Sequence, residues 1–248
     1  ARWGLLWLLK THFGDGYRAL AVHYGIWRRD YLRNYQDLNP ENDTVHKNTA
    51  ENGPFENFLA AMALIRGYQI FINEDEVFAK WCLRIGMQDF TFGLEGYKQG
   101  LFTERWGKGP EVQVVGALIE AACMMYEVTN EQLYLDIAAI YADVIVASQQ
   151  ITMPDWEKPI RGFFYEDPSH KTILTYEHRG HEQSPICGMV ALVSLFPTHK
   201  DVAKWQQCID LYVEYIKSSL SYMEPYGLLP AHVYRMEWLN YDRFTIPR

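Results

Sequence analysis

The stretch Glu111-Val-Gln-Val-Val-Gly-Ala-Leu-Ile-Glu-Ala-Ala-Cys-Met-Met-Tyr-Glu-Val-Thr-Asn-Glu-Gln-Leu-Tyr-Leu-Asp-Ile-Ala138 decides the fold class. Val112, Val115, Ile119, Ala122, Cys123 and Tyr126 recur at steps of three and four, the period of a buried helix face. Thr129-Asn130-Glu131 then breaks the pattern, and a second amphipathic run follows at once. Two helices joined by a short polar turn form a helical hairpin.

The same unit recurs. Further helical stripes are Tyr17, Leu20, Tyr24, Trp27 and Tyr31; Phe55, Phe58, Leu59, Met62 and Ile65; Phe78, Trp81, Cys82 and Ile85; and Val202, Trp205, Ile209, Tyr212, Val213 and Ile216. Short turns at Gly14-Asp15-Gly16, Asn73-Glu74-Asp75, Thr129-Asn130-Glu131 and Thr198-His199-Lys200 each precede a helix. Counted from residues 14, 73, 130 and 199 they are 59, 57 and 69 apart. A repeat of roughly 60 residues is the length of two helices and two connections. No convincing alternating strand appears, so the expected class is all-α. The connections alternate short and long, the long ones falling near 34–52, 93–109, 150–180 and 221–230. With helices running up and down, the long connections share one end. The first helix of each pair is rich in small residues (Ala60, Ala61 and Ala63; Gly116, Ala117, Ala121 and Ala122; Gly188 and Ala191), which suits an inner ring of closely approaching helices. The reading is one (α/α) barrel or toroid domain over 1–248, with about four hairpins.

The 111–138 hairpin resembles a hairpin of the (α/α)6-barrel six-hairpin glycosidase superfamily. Gly100-Leu-Phe-Thr-Glu-Arg-Trp-Gly-Lys-Gly109 is similar to the segment that enters such a hairpin in unsaturated glucuronyl and rhamnogalacturonyl hydrolases. Gly227-Leu-Leu-Pro230 is similar to a phrase common in that superfamily. The resemblance implies a carbohydrate-active enzyme acting on an oligo- or polysaccharide. It also implies six hairpins. Four would make the chain an incomplete barrel and a fragment of a longer protein, or a smaller toroid whose open edge is covered by a partner or a second copy.

Composition narrows the function classes. Of 248 residues, 48% are hydrophobic and 22% charged, a globular composition. The net charge of −8 without a basic run argues against nucleic-acid binding. No stretch of about 18 apolar residues is evident, so no membrane span is expected. Eight Trp and 17 Tyr exceed what a core of this size needs, and such rings offer flat faces to sugars. Cys82, Cys123, Cys187 and Cys208 lie on or beside helical stripes, outside any Cys-x-x-Cys pair, and read as reduced core residues. There is no Gly-rich phosphate loop, nucleophile elbow or dinucleotide fingerprint, and no cofactor or metal is expected. The compartment is not legible.

Four segments carry candidate chemistry. Glycoside cleavage needs one carboxylic acid to protonate the leaving oxygen and a second carboxylate as base or nucleophile. The richest stretch is Tyr176-Glu177-His178-Arg179-Gly180-His181-Glu182-Gln183-Ser184-Pro185, running into an inner helix. Glu182 is the first choice of catalytic acid, with Glu177 as a further candidate and Tyr176, Arg179 and His181 as substrate contacts. Its His spacing matches neither His-Glu-x-x-His nor its inverse. The second segment offers Trp106 as a stacking face and Glu111, after Pro110 placed at the first helical position, as a further catalytic candidate. The third offers Asn52, as helix cap and sugar contact, and Glu56 inside the next inner helix. By the repeat, Glu56, Glu111 and Glu182 are equivalent, and all three also suit a helix N-terminus as simple dipole partners. The fourth, Tyr222 to Tyr234, supplies His232 as a cleft wall. Arg105, Lys108 and Arg179 favour an acidic sugar such as a uronate. A lyase or epimerase using His and Tyr, and a non-catalytic helical-repeat scaffold, are the alternatives.

Overall fold

A computed structural model of the chain describes residues 1–14, 16–19, 50–51, 53–101, 110–175, 181–224, 227 and 233. They divide into two compact units, Ala1–Thr103 and Glu104–Arg248. Among the described residues the fold is all-α apart from one antiparallel pair of two-residue strands.

The first unit opens with α1 (Arg2–Lys10), followed by β1 (Arg18–Ala19), which pairs with β2 (Ala50–Glu51). Then come α2 (Pro54–Phe71) and α3 (Glu76–Lys98). The stripe expected to start a helix at Tyr17 does not do so: Arg18 and Ala19 are extended, and Leu20, Tyr24, Trp27 and Tyr31 lie outside the described residues. The first helix is instead α1, whose Leu5 and Leu9 pack with Leu64, Phe78, Cys82 and Ile85. The α2/α3 hairpin turns at residues 72–75 as the sequence predicts. Asp75 caps α3 by accepting from the Phe78 N–H at 3.0 Å. Gly86 lies against Ala61 and Leu64, and Gly93 against Asn57 and Phe58, so small residues let the two backbones close up. The cap of α2 is Gly53, one residue after the expected Asn52.

The second unit holds α4 (Glu111–Thr129), α5 (Gln132–Ala147), α6 (Ser184–Leu195) and α7 (Val202–Ser219). Its α4/α5 hairpin lies where the deciding stretch places it. Asn130 closes α4 in the left-handed conformation at φ 57°, which Asn tolerates better than most residues. Every member of the α4 stripe is buried except half-buried Tyr126. Contrary to the expectation of no spanning segment, α4 is long and apolar enough to cross a membrane. In this unit, however, 72% of its 18-residue apolar window is buried, as in the core helix of a globular domain. Pro110 is the capping residue of α4 rather than its first helical residue, with ψ 132° still extended. On α7 the buried face is Trp205, Cys208, Leu211 and Tyr215, while Val213 and Ile216 of the expected stripe are exposed.

The long connection after α5 is ordered. Residues 148–150, 162–166 and 172–174 run as a short antiparallel meander. Tyr165 donates its N–H to the Ser148 carbonyl at 2.8 Å, and Leu174 donates to the Phe164 carbonyl at 2.9 Å. Its Ile160, Phe163, Tyr165 and Ile173 form an apolar cluster with Tyr215 of α7. Each run is too short to show alternation in a sequence.

Candidate functional site

In the second unit α4 and α6 lie side by side and run in the same direction. Ser184, the first residue of α6, donates its hydroxyl to the Gln113 carbonyl at 3.0 Å. A Cβ on Gly116 would lie 2.4 Å from the Ser184 carbonyl carbon, and one on Gly188 would lie 3.2 Å from Ile119 Cβ. Advancing from 184 to 188 on α6 therefore advances from 113 to 119 on α4. The two helix starts share one end of the pair, where N–H groups without intrahelical partners and the positive dipole ends gather.

That end carries two of the three carboxylates singled out. Glu111 is the first residue of α4 and half-buried. Glu182 sits in the single 3-10 turn His181–Gln183 that leads into α6. Its Oε2 is buried and finds no hydrogen-bond donor among the described residues. A buried carboxylate oxygen is costly to leave without a hydrogen-bond donor. The Glu182 carboxylate is near enough to α7 to act on two phenols. Tyr215 is pushed up to about 12, first by burial and then by Tyr212 and Glu182. Tyr212 is raised by burial, Glu182 and Cys187. Both phenols hold their protons at neutral pH and remain hydrogen-bond donors. Phe164 stacks on Tyr212 at 5.7 Å between ring centroids.

The start of α4 is held from the meander, where Glu166 accepts the Val112 N–H at its carbonyl at 2.9 Å. The seat of the meander on α7 is Gln149, which is 2% exposed. Its side-chain amide donates to the Gly162 carbonyl and to the Cys208 carbonyl, each at 2.9 Å. The sequence reading passed over Gln149, since a Gln after a helix carries no signal of its burial.

The remaining candidates divide simply. Glu56 is half-buried in the first turn of α2 and belongs to the first unit. His181 has its backbone in the 3-10 turn, but its side chain lies outside the described residues, as do Asn52, Trp106, Tyr176, Glu177, Arg179 and His232 in full. Among the described residues no three His, Cys, Asp or Glu side chains come together as a metal site.

The first unit contains a polar network the sequence reading missed. Arg18 donates from Nε and Nη2 to the two Asp89 carboxylate oxygens at 2.6 and 2.5 Å, and from Nη1 to the Leu8 carbonyl at 2.7 Å. Asn57 donates to Asp89 Oδ1 and to the Gly16 carbonyl, both at 2.8 Å. All three side chains are buried. Burial raises the Asp89 carboxyl against the opposing pull of Arg18, Asn57 and His12. This bidentate pair, with Asn57 as a further donor to Asp89, ties β1 to α2 and α3. Its one legible sign was an Asp within an apolar helical stretch.

No protein-family model matches the chain, and no curated protein matches it.

Proposed function

We propose that the protein is a carbohydrate-active enzyme, a glycoside hydrolase built from the hairpins of an (α/α) toroid, with an oligo- or polysaccharide as substrate. Glu182 donates a proton to the glycosidic oxygen, and Glu111 is the second carboxylate. The observation that carries this reading is the Oε2 of Glu182, buried at the shared end of α4 and α6 and without a donor among the described residues. A general acid must present a carboxyl oxygen to the leaving group, and no donor among the described residues occupies Glu182 Oε2. Same-direction packing of α4 and α6, with α5 returning between them, supports the toroid: inner helices of such a ring run parallel.

The test is a product assay on neutral and uronate-containing glycans, reading new reducing ends and ultraviolet absorbance together, with Glu182→Gln as control. New reducing ends without absorbance, reduced about 100-fold or more in the variant, are the expected result. Absorbance from an unsaturated sugar would make the protein a lyase and move the chemistry to Tyr and His. Binding without turnover across the panel would favour the scaffold reading.

A further inference from the structure

A buried primary amide in the second unit spends both its N–H donors on the backbones of two different elements. Gln149 follows α5, yet its Nε2 reaches the Gly162 carbonyl of the meander and the Cys208 carbonyl of α7. Neither bond is local, and both are shielded from water, so water replaces neither when the side chain is removed. Gly162 shows how closely the meander is pressed there. Its φ is 92°, and an added Cβ would lie 2.0 Å from the Leu211 carbonyl oxygen.

From this seat the meander runs without a break to the start of α4. The Gly162 N–H donates to the Gln150 carbonyl at 2.8 Å, and the Tyr165 N–H to the Ser148 carbonyl at 2.8 Å. The next residue, Glu166, accepts the Val112 N–H at 2.9 Å. That N–H is one of the four that a helix start leaves without an intrahelical partner, so its acceptor sets how the first turn sits. Glu111 is the adjoining residue of that turn.

We infer that Gln149 is a positioning residue for Glu111, acting through the 162–166 run and its Glu166–Val112 hydrogen bond. This rests on the reading of Glu111 as one of the two working carboxylates. A displacement of about 1 Å in a reacting group costs on the order of 100-fold in rate. Gln149 therefore governs turnover without touching substrate.

Hydrogen exchange and turnover, measured on the same variants, test it. Gln149→Met keeps the volume and removes both donors. The expected result is at least a tenfold loss of exchange protection at the Val112 amide, with the amides of Leu118 and Ile119 unchanged. Turnover on whichever glycan the wild type cleaves should fall about tenfold to 100-fold, with KM altered less than threefold. Gln149→Glu is the second variant. Its carboxyl regains one donor when protonated, so Val112 protection should return as the pH falls. Unchanged protection at Val112 in both variants would overturn the inference, and so would a uniform loss along α4, which means general destabilisation. Val112 protection lost with turnover intact would also overturn it. A wild type silent on every glycan would instead remove the glycosidase reading. The exchange data would then still decide whether Gln149 sets the start of α4.

Discussion

Gly188 of α6 crosses so close to Gly116 of α4 that a Cβ on Gly188 would lie 2.6 Å from the Gly116 carbonyl oxygen. A Cβ on Gly116 would in turn meet the backbone of Ser184 and Pro185. Backbone, unlike a side-chain tip, cannot turn aside. Gly116→Ala and Gly188→Ala should each destabilise the second unit by about 1–3 kcal/mol, through overpacking. Urea denaturation reads this directly. If the two substitutions are made together, their effects should depart from additivity, because they force apart the same contact.

Gly162 and Gly100 separate conformational strain from collision. Both have positive φ, 92° and 74°, but a Cβ on Gly100 meets nothing within 4 Å. Gly100→Ala should cost only the left-handed penalty of about 1 kcal/mol. Gly162→Ala carries the same penalty plus the overlap with Leu211, and should cost at least about 3 kcal/mol. Equal midpoints in thermal melts of the two variants would contradict the close seating of the meander on α7.

Removing one partner of the Arg18–Asp89 pair should cost more than removing both. Arg18→Met leaves a buried carboxylate and should destabilise by about 3–5 kcal/mol at neutral pH, whereas Arg18→Met with Asp89→Leu should recover much of that loss. The pH dependence has a definite sign. Without Arg18 the folded Asp89 carboxyl rises further above its unfolded value, so the folded state binds the extra proton. The loss should then shrink as pH falls toward 4 and grow as pH rises. Chemical denaturation at pH 4.5 and pH 8 checks it.

Alkaline pH should weaken the second unit through Tyr215. Its folded phenol is pushed up to about 12, above its ordinary value of 10.0, so between those limits the folded state holds a proton that the unfolded state has lost. Stability therefore falls as pH rises through that window, by at most about 1.4 kcal/mol per pH unit for this group. Tyr215→Phe should flatten the slope. Glu182→Gln should advance the onset of tyrosine ionisation less than it would if burial were not the leading cause.

Cysteine reactivity should distinguish one thiol from three. All four cysteines are free, and Cys187 alone is exposed, against the expectation that all four are core residues. Burial pushes Cys123 and Cys208 up to about 12 and Cys82 to about 11. An alkylating reagent at pH 8 should label Cys187 first, with the other three labelled only on unfolding. Mass spectrometry of peptides after timed labelling reads the order. Early labelling of Cys123 would place the α4 core closer to solvent than its 1% exposure indicates.

Local pattern by itself determined the helical hairpins. The 3.6-residue period of Val112 through Tyr126, the break at Thr129–Glu131 and the small residues along α2, α4 and α6 are visible without coordinates, because periodicity reports which face must leave water. The pattern also placed Glu111 and Glu182 at helix starts, since prolines and turn residues mark where helices begin. Tertiary structure alone decided what those starts meet. Ser184 reaching Gln113, Gln149 joining Gly162 to Cys208, and Arg18 meeting Asp89 link residues 13 to 71 positions apart. Such contacts leave no periodic trace, because a polar side chain is buried only where its partner arrives from elsewhere in the chain. The same holds for α7, where the buried face turned toward Cys208 and Tyr215 because the meander covers them. Hydropathy ranked Val213 and Ile216 as equally good core residues, but only packing settles which apolar side chains a neighbouring element covers.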